Sequence, residues 1–288
     1  MSYYVKPSSD IFIKYLFGSV ENKSILLAFI NGVLSRCDFD KIVDVEVLNP
    51  FNIKEFRNDK ESILDVKATD ENGRIYDIEV QTIGNESYVF RSLYYWACLY
   101  SSQLIESDIY SKLKPTISIN IIEFDLFKQH KNYFSSFLLK EIESNEILTD
   151  HLLINYIELS KFNSITESDD ELNKLLYFLK NEGKEDQMLK TLIKNDKILD
   201  KAHNEYRKFT GDKAMRELYD SRIKYQRDYN SLISDAKLEG EQKGKLEGKL
   251  EGEHEGRLDS AKNLKQLGVS IDLISQATGL SKDEIDKL

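Results

Sequence analysis

The chain has 288 residues, with 50 acidic against 40 basic side chains, a formal net charge of −10 and only 3 prolines. That balance argues against a basic coat that binds nucleic acid without selectivity, and the low proline and glycine content excludes collagen-like segments. The length is enough to bury a full hydrophobic core plus one smaller module. Cys37 and Cys98 are the only cysteines, and His130, His151, His203 and His254 are too dispersed to form a zinc site. A reducing, cytoplasmic compartment is expected. The opening MSYYVKPSSD has no charged head followed by an apolar run, so no secretory leader and no membrane span is expected.

In chain order, Ser8-Ser9-Asp10 leads into IFIKYLFG, where Ile11, Phe12, Tyr15 and Leu16 form one helical stripe behind a Ser or Asp cap, with Gly18 as the stop. A second helix is expected over about 23–34, with Ile25, Leu26, Phe29, Ile30 and Val33 facing a core. Residues 41–48 alternate and predict a strand ending at Asn49-Pro50.

Residues 63–81, ILDVKATDENGRIYDIEVQ, predict a hairpin. Ile63, Asp65, Lys67 and Thr69 alternate with Leu64, Val66 and Ala68 on its first strand. Asp77, Glu79 and Gln81 alternate with Tyr76, Ile78 and Val80 on its second. Asp70-Glu71-Asn72-Gly73 forms the turn, with Asn-Gly tolerating positive φ. One reading is an amphipathic ribbon with an acidic wet face. The other is a metal site, because carboxylates enclosed by the apolar segment that follows need a partner, and Mg²⁺ (or Mn²⁺) meets that need while keeping some waters. Asp65 and Glu79 are then metal ligands, with the main-chain carbonyl of Val80 completing part of the shell. Gln81 orients water or phosphate, since an amide is no general base. Lys67 and Arg91 are candidates for phosphate contacts, Arg91 also for holding Glu79, and Asp10 is either a further acidic ligand or a helix cap.

Beyond the hairpin, residues 88–105 predict a long helix carrying Arg91 near its start, and TISINII at 116–122 predicts an inner strand. A loop containing His130 and the segment 134–139 lead to a strand expected at about 152–159, and 171–183 reads as a helix closed by Gly183. The whole is a mixed sheet covered by helices. Four segments are expected: a core domain at 1–185, a charged helical extension at 186–235, a repeat at 236–258 and a small helical module at 259–288. In the repeat, Gly240, Gly244, Gly248, Gly252 and Gly256 recur every four residues in a tract whose charges exclude a membrane helix. Each glycine disfavours helix by about 1 kcal/mol relative to alanine, so the segment reads as a flexible spacer or, alternatively, as a glycine-lined helix in a homodimer. In the last module, Ser270 caps one short helix and Ser281 with Glu284 has capping-box spacing for the next. The arrangement is helix-turn-helix-like, but Asp283, Glu284 and Asp286 oppose phosphate, which favours an assembly role.

Taken together, SSDIFIKYLFG at 8–18, NKSILLAFINGVL at 22–34, the hairpin at 63–81, YVFRSLYYWACLYSSQL at 88–104, DIYSKLKPTISINII at 108–122, IELSKF at 157–162 and the glycine-repeat tail ending in QATGLSKDEI resemble the PD-(D/E)XK nuclease superfamily. Within it they resemble most the recombination-promoting nuclease and transposase group. The resemblance implies a restriction-endonuclease-like core and Mg²⁺-dependent DNA endonuclease activity linked to recombination or mobile elements. It puts the first acidic residue on Asp65 and the E-x-K element on Glu79-Val80-Gln81, with glutamine in place of lysine. Losing that cation removes an electrostatic stabiliser, which keeps open the alternative of an inactive DNA-associated or assembly protein.

Overall fold

The structure, a computed structural model, describes residues 3–51, 66–84, 87–166 and 169–288. It divides into two compact units, Met1–Arg222 and Ile223–Leu288.

The first unit is a mixed sheet flanked by helices, a restriction-endonuclease-like core. Helices α1 (Asp10–Gly18) and α2 (Lys23–Arg36) are followed by β1 (Val45–Val47), β2 (Val66–Asp70), β3 (Ile75–Gln81), α3 (Tyr88–Ser101), β4 (Thr116–Ile122), β5 (Phe134–Lys140) and β6 (Ile147–Glu158). Helices α4 (Glu171–Asn181), α5 (Gln187–Asn195) and α6 (Lys197–Gly211) complete it, together with the start of α7 (Lys213–Gln266). The described strands form one sheet in the order β1-β2-β3-β4-β6-β5. β3, β4 and β6 run parallel and the remaining pairs are antiparallel. All seven residues of β4 are buried, as expected for a central parallel strand covered on both faces.

Alternation sorts the side chains of β3. Tyr76 and Ile78 are fully buried and share a face with Ile117 and Ile119, their partners in register on β4. Cys37, just past α2, donates to Asn155 Oδ1 at 3.2 Å, and Asn155 is the register partner of Ile119, so α2 lies on this face. Phe12 of α1 meets Tyr206 and Phe209 of α6 edge-on, each at 5.4 Å between centroids, which ties the later helices to the same layer. α2 and α4 approach closely at Gly32, where a Cβ would stand 2.8 Å from Leu172 Cβ.

The hairpin turn is built around Asp70, the last residue of β2. Its Oδ1 accepts from Asn72 N and Arg74 N, and its Oδ2 accepts from the Tyr76 hydroxyl, while Gly73 takes φ +79°. Strand β1 is shorter than the 41–48 expected from alternation. The amide of Ile42 goes to the Asn31 side chain and those of Val43 and Asp44 to the Glu71 carboxylate. Amides spent on side chains leave nothing for a strand ladder.

The second unit takes up α7 from Ile223 and adds α8 (Ile271–Thr278) and α9 (Lys282–Asp286). Ala261, Ile274, Leu280 and Ile285 form its small core. Gly268 and Gly279 adopt positive φ at the two breaks, and the Ser281/Glu284 capping box forms in full. The glycine tract is helical, which corrects the spacer reading. It lies inside α7, with helix on both sides, and propagating a helix is far easier than nucleating one. Lys237–Glu241, Lys243–Glu247 and Lys249–Glu253, at 4.0, 3.9 and 3.8 Å, add ion pairs one turn apart. Among the described residues no helix is long and apolar enough to cross a membrane.

Candidate active site

The face of β3 opposite Tyr76 and Ile78 carries Asp77, Glu79 and Gln81. Their partners in register on β4 are Ser118, Asn120 and Ile122, and on the other side Lys67 of β2 lies opposite Asp77. Directly opposed residues share a face, so Lys67, Asp77, Glu79, Gln81 and Asn120 line one stretch of the sheet. Helix α3 covers it. Tyr88 packs with Ile122, Ile154 and Tyr156, Ser92 and Tyr156 share a hydroxyl hydrogen bond of 2.5 Å, and Trp96 Nε1 donates to Thr116 O at 2.8 Å. The helix that follows the hairpin therefore encloses its polar face.

Glu79 is half-buried. The Tyr88 hydroxyl shares its one proton between Asn120 Oδ1 at 2.9 Å and Glu79 Oε2 at 3.3 Å. Asn120 is fully buried. Its amide nitrogen donates to Ser118 Oγ and Asn155 O at 3.0 and 3.1 Å. Burial first, and then the adjacent Glu79 charge, hold the Tyr88 phenol well above its ordinary pKa, so Tyr88 stays a hydrogen-bond donor to the carboxylate.

Gln81 is fixed at both ends of its amide. Oε1 accepts from Arg91 Nη2 at 2.7 Å, and Nε2 donates to Ile83 O at 2.6 Å. The Arg91 guanidinium lies 4.8 Å from the centre of the Tyr88 ring and 6.0 Å from that of Tyr95, within cation–π range. The structure thus joins Glu79, Gln81 and Arg91 through Tyr88, with Arg91 on Gln81. Within β3, Ile75 N donates to Pro115 O and Gln81 O accepts from Glu123 N. Odd-numbered residues therefore turn their main-chain groups toward β4, and even-numbered ones, Val80 among them, toward β2.

Asp10 is buried at the start of α1. Its Oδ2 accepts from Arg222 Nε at 2.8 Å and its Oδ1 from Ile11 N at 2.7 Å, while Ser9 is the N-cap without a side-chain cap bond. A chain of contacts links this end of α1 to β3: Ser8 Oγ donates to Glu123 at 2.5 Å, Lys6 pairs with the same carboxylate, and Glu123 N bonds to Gln81 O.

Asp65, which immediately precedes the start of β2, lies outside the described residues, as do Ile63 and Leu64. Among the described residues no group of three or more His, Cys, Asp or Glu side chains is placed to hold a metal ion. The described donors are the Glu79 carboxylate and the Val80 carbonyl. An all-oxygen set of that kind suits a hard cation that keeps several waters. The alternation of the hairpin does not by itself point to Tyr88 or Asn120. The signal for Asn120 was present in TISINII, because a polar side chain within an apolar inner strand has to find hydrogen-bond partners.

A family model described as PD-(D/E)XK nuclease family transposase matches residues 7–236. No curated protein and no solved structure matches the chain.

Proposed function

Because the chain belongs to the PD-(D/E)XK nuclease family of transposases, we propose that it is a Mg²⁺-dependent DNA endonuclease acting in recombination or on mobile elements. In the same proposal it is a cytoplasmic protein that self-associates through its C-terminal region. The observation that carries the catalytic reading is the enclosure of Glu79 and Gln81 on one face of β3 by Tyr88 and Arg91.

Asp65, Glu79 and the Val80 carbonyl would hold the metal. Val66, the residue after Asp65, pairs with Ile78, the residue before Glu79. When bound, Mg²⁺ polarises a phosphodiester and lowers the pKa of an attacking water. The chain's own side chains do the remaining work. Tyr88 holds one Glu79 oxygen in place, so the carboxylate reaches the site in a set orientation. Gln81, clamped by Arg91 and Ile83, presents a fixed amide that orients water or phosphate rather than taking a proton. Arg91 offers its planar donor fork to a phosphate, and Lys67 adds positive charge on the same face.

The test is cleavage of supercoiled, linear and single-stranded DNA by the purified full chain with Mg²⁺ or Mn²⁺, alongside Asp65→Ala and Glu79→Ala. Cleavage that both substitutions abolish is the expected result. Intact DNA in every lane, over a broad range of protein, would overturn the nuclease reading in favour of a DNA-associated or assembly protein.

A further inference from the structure

The outward face of α3 belongs to no contact in the described fold that would explain its composition. Phe90 and Tyr94 are 74% and 64% exposed, and Leu93, Tyr95 and nearby Ile83 are exposed as well. Phe90 and Tyr94 lie four residues apart, one above the other on the helix, and Arg91 and Tyr95 form the adjoining row. The Tyr94 and Tyr95 rings are 5.9 Å apart. Solvent-exposed rings in this number are costly to leave bare on a soluble chain and mark a binding surface.

Charge narrows the choice of occupant. Residues 87–105 hold no Asp or Glu and a single ionic side chain, Arg91, in a chain with 50 acidic residues. Continuity narrows it further. The same two turns of helix that expose Phe90 and Tyr94 send Tyr88 to Glu79 and Arg91 to Gln81. A polyanion engaged at the Glu79 and Gln81 face would therefore run onto rings, one guanidinium and no carboxylate. Aromatic faces beside a cation are the surface on which unpaired bases stack, with little dependence on sequence.

We propose that the exposed face of α3, centred on Phe90 and Tyr94, is a stacking platform for the unpaired bases of a single-stranded DNA segment lying next to the candidate active site. This rests on the nuclease reading above and names the form of its substrate. Paired bases keep their faces stacked on one another and have none to offer these rings, so the platform favours single strands, flaps or opened ends over uninterrupted duplex.

The experiment measures binding of the full chain in EDTA, where no cleavage occurs, by fluorescence anisotropy. The probes are a labelled oligothymidylate, a strand of equal length made of abasic sites, and a blunt duplex. The wild-type protein is expected to bind the oligothymidylate more tightly than the other two. Phe90→Leu with Tyr94→Leu should weaken oligothymidylate binding roughly tenfold or more, the scale of one lost base stack, and leave the abasic strand unaffected. Phe90→Trp with Tyr94→Trp should retain it. Equal binding of thymidylate and abasic strands by the wild type, or an unchanged affinity in the leucine pair, would overturn the proposal. So would a wild-type dimer, seen by light scattering, that the leucine pair converts to monomer with strand binding intact, since the face would then be a seat for a second copy. Cleavage with Mg²⁺ is a separate arm: a chain that stacks the strand but cuts no DNA refutes the nuclease reading and upholds the platform.

Discussion

Tyr88→Phe removes one oxygen from the centre of the site and keeps the ring that fills the pocket between α3 and the sheet. Tyr88 is 2% exposed, so no water replaces the lost hydroxyl without rearrangement. The 2.9 Å bond to Asn120 Oδ1 is well within normal range, while the 3.3 Å contact to Glu79 is long. Most of the loss therefore falls on Asn120, whose buried Oδ1 loses its donor. An unsatisfied buried acceptor costs about 1–3 kcal/mol, which for a unit of this size is a fall in Tm of about 2–4 °C per kcal/mol. Urea unfolding of the full chain measures the change, and a double-mutant cycle with Asn120→Ala isolates the bond, because the second substitution should cost less in the Tyr88→Phe background. The same variant removes one of the contacts that orient the Glu79 carboxylate, so metal affinity by calorimetry and the cleavage rate should both fall. Strict additivity in the cycle, with metal affinity unchanged, would show that the Tyr88 hydroxyl neither supports the core nor orients the carboxylate.

Gln81→Lys restores the residue that the resembling superfamily carries, yet it should lower cleavage by about tenfold, because lysine has no acceptor for Arg91 Nη2 and sets two cations side by side; a rate equal to or above wild type would contradict this account of the E-x-Q element. Glu205 is buried beside Tyr15, whose hydroxyl donates to it at 2.6 Å, and Lys208; burial raises its pKa, but the bonds from Lys208 and Tyr15 outweigh burial and leave the value lowered. A folded pKa below the unfolded one stabilises the fold above the unfolded value, about 4.3, and that contribution disappears as pH falls through the folded value. Thermal melts across this acid range should therefore show Glu205→Gln with lower stability at neutral pH and a flatter approach to acid unfolding than wild type; parallel profiles would remove Glu205 from the acid response. Gly32→Ala should destabilise by about 1–3 kcal/mol despite its gain in helix propensity, since the new methyl meets Leu172 Cβ at 2.8 Å, and a higher denaturation midpoint would show that α2 and α4 separate freely.

Much of the architecture was legible from local pattern. The alternation in 66–70 and 75–81 identifies which side chains share a face, Asn72-Gly73 marks the turn, and Ser281 with Glu284 marks the start of α9, because each depends on neighbours within a few positions. The alternation at 41–48 overstates the strand for the opposite reason: the amides of Ile42, Val43 and Asp44 are taken by Asn31 and Glu71, which sit 11 and 27 or more positions away in sequence. The glycine tract misled through a local cost whose outcome depends on the helix flanking it on both sides.

The amino-acid sequence by itself determined the acidic face of the hairpin, since residue type and a period of two need no knowledge of distant partners. Only the tertiary structure decided what covers that face and how each group is held. Alternation says that Glu79 and Gln81 point the same way, but not that Tyr88 and Asn120 meet Glu79, that Arg91 grips Gln81, or that Asp10 pairs with Arg222 across 212 positions. Those contacts arise from packing one element on another, and the free energy that selects them is shared over the whole buried core rather than written in any one segment.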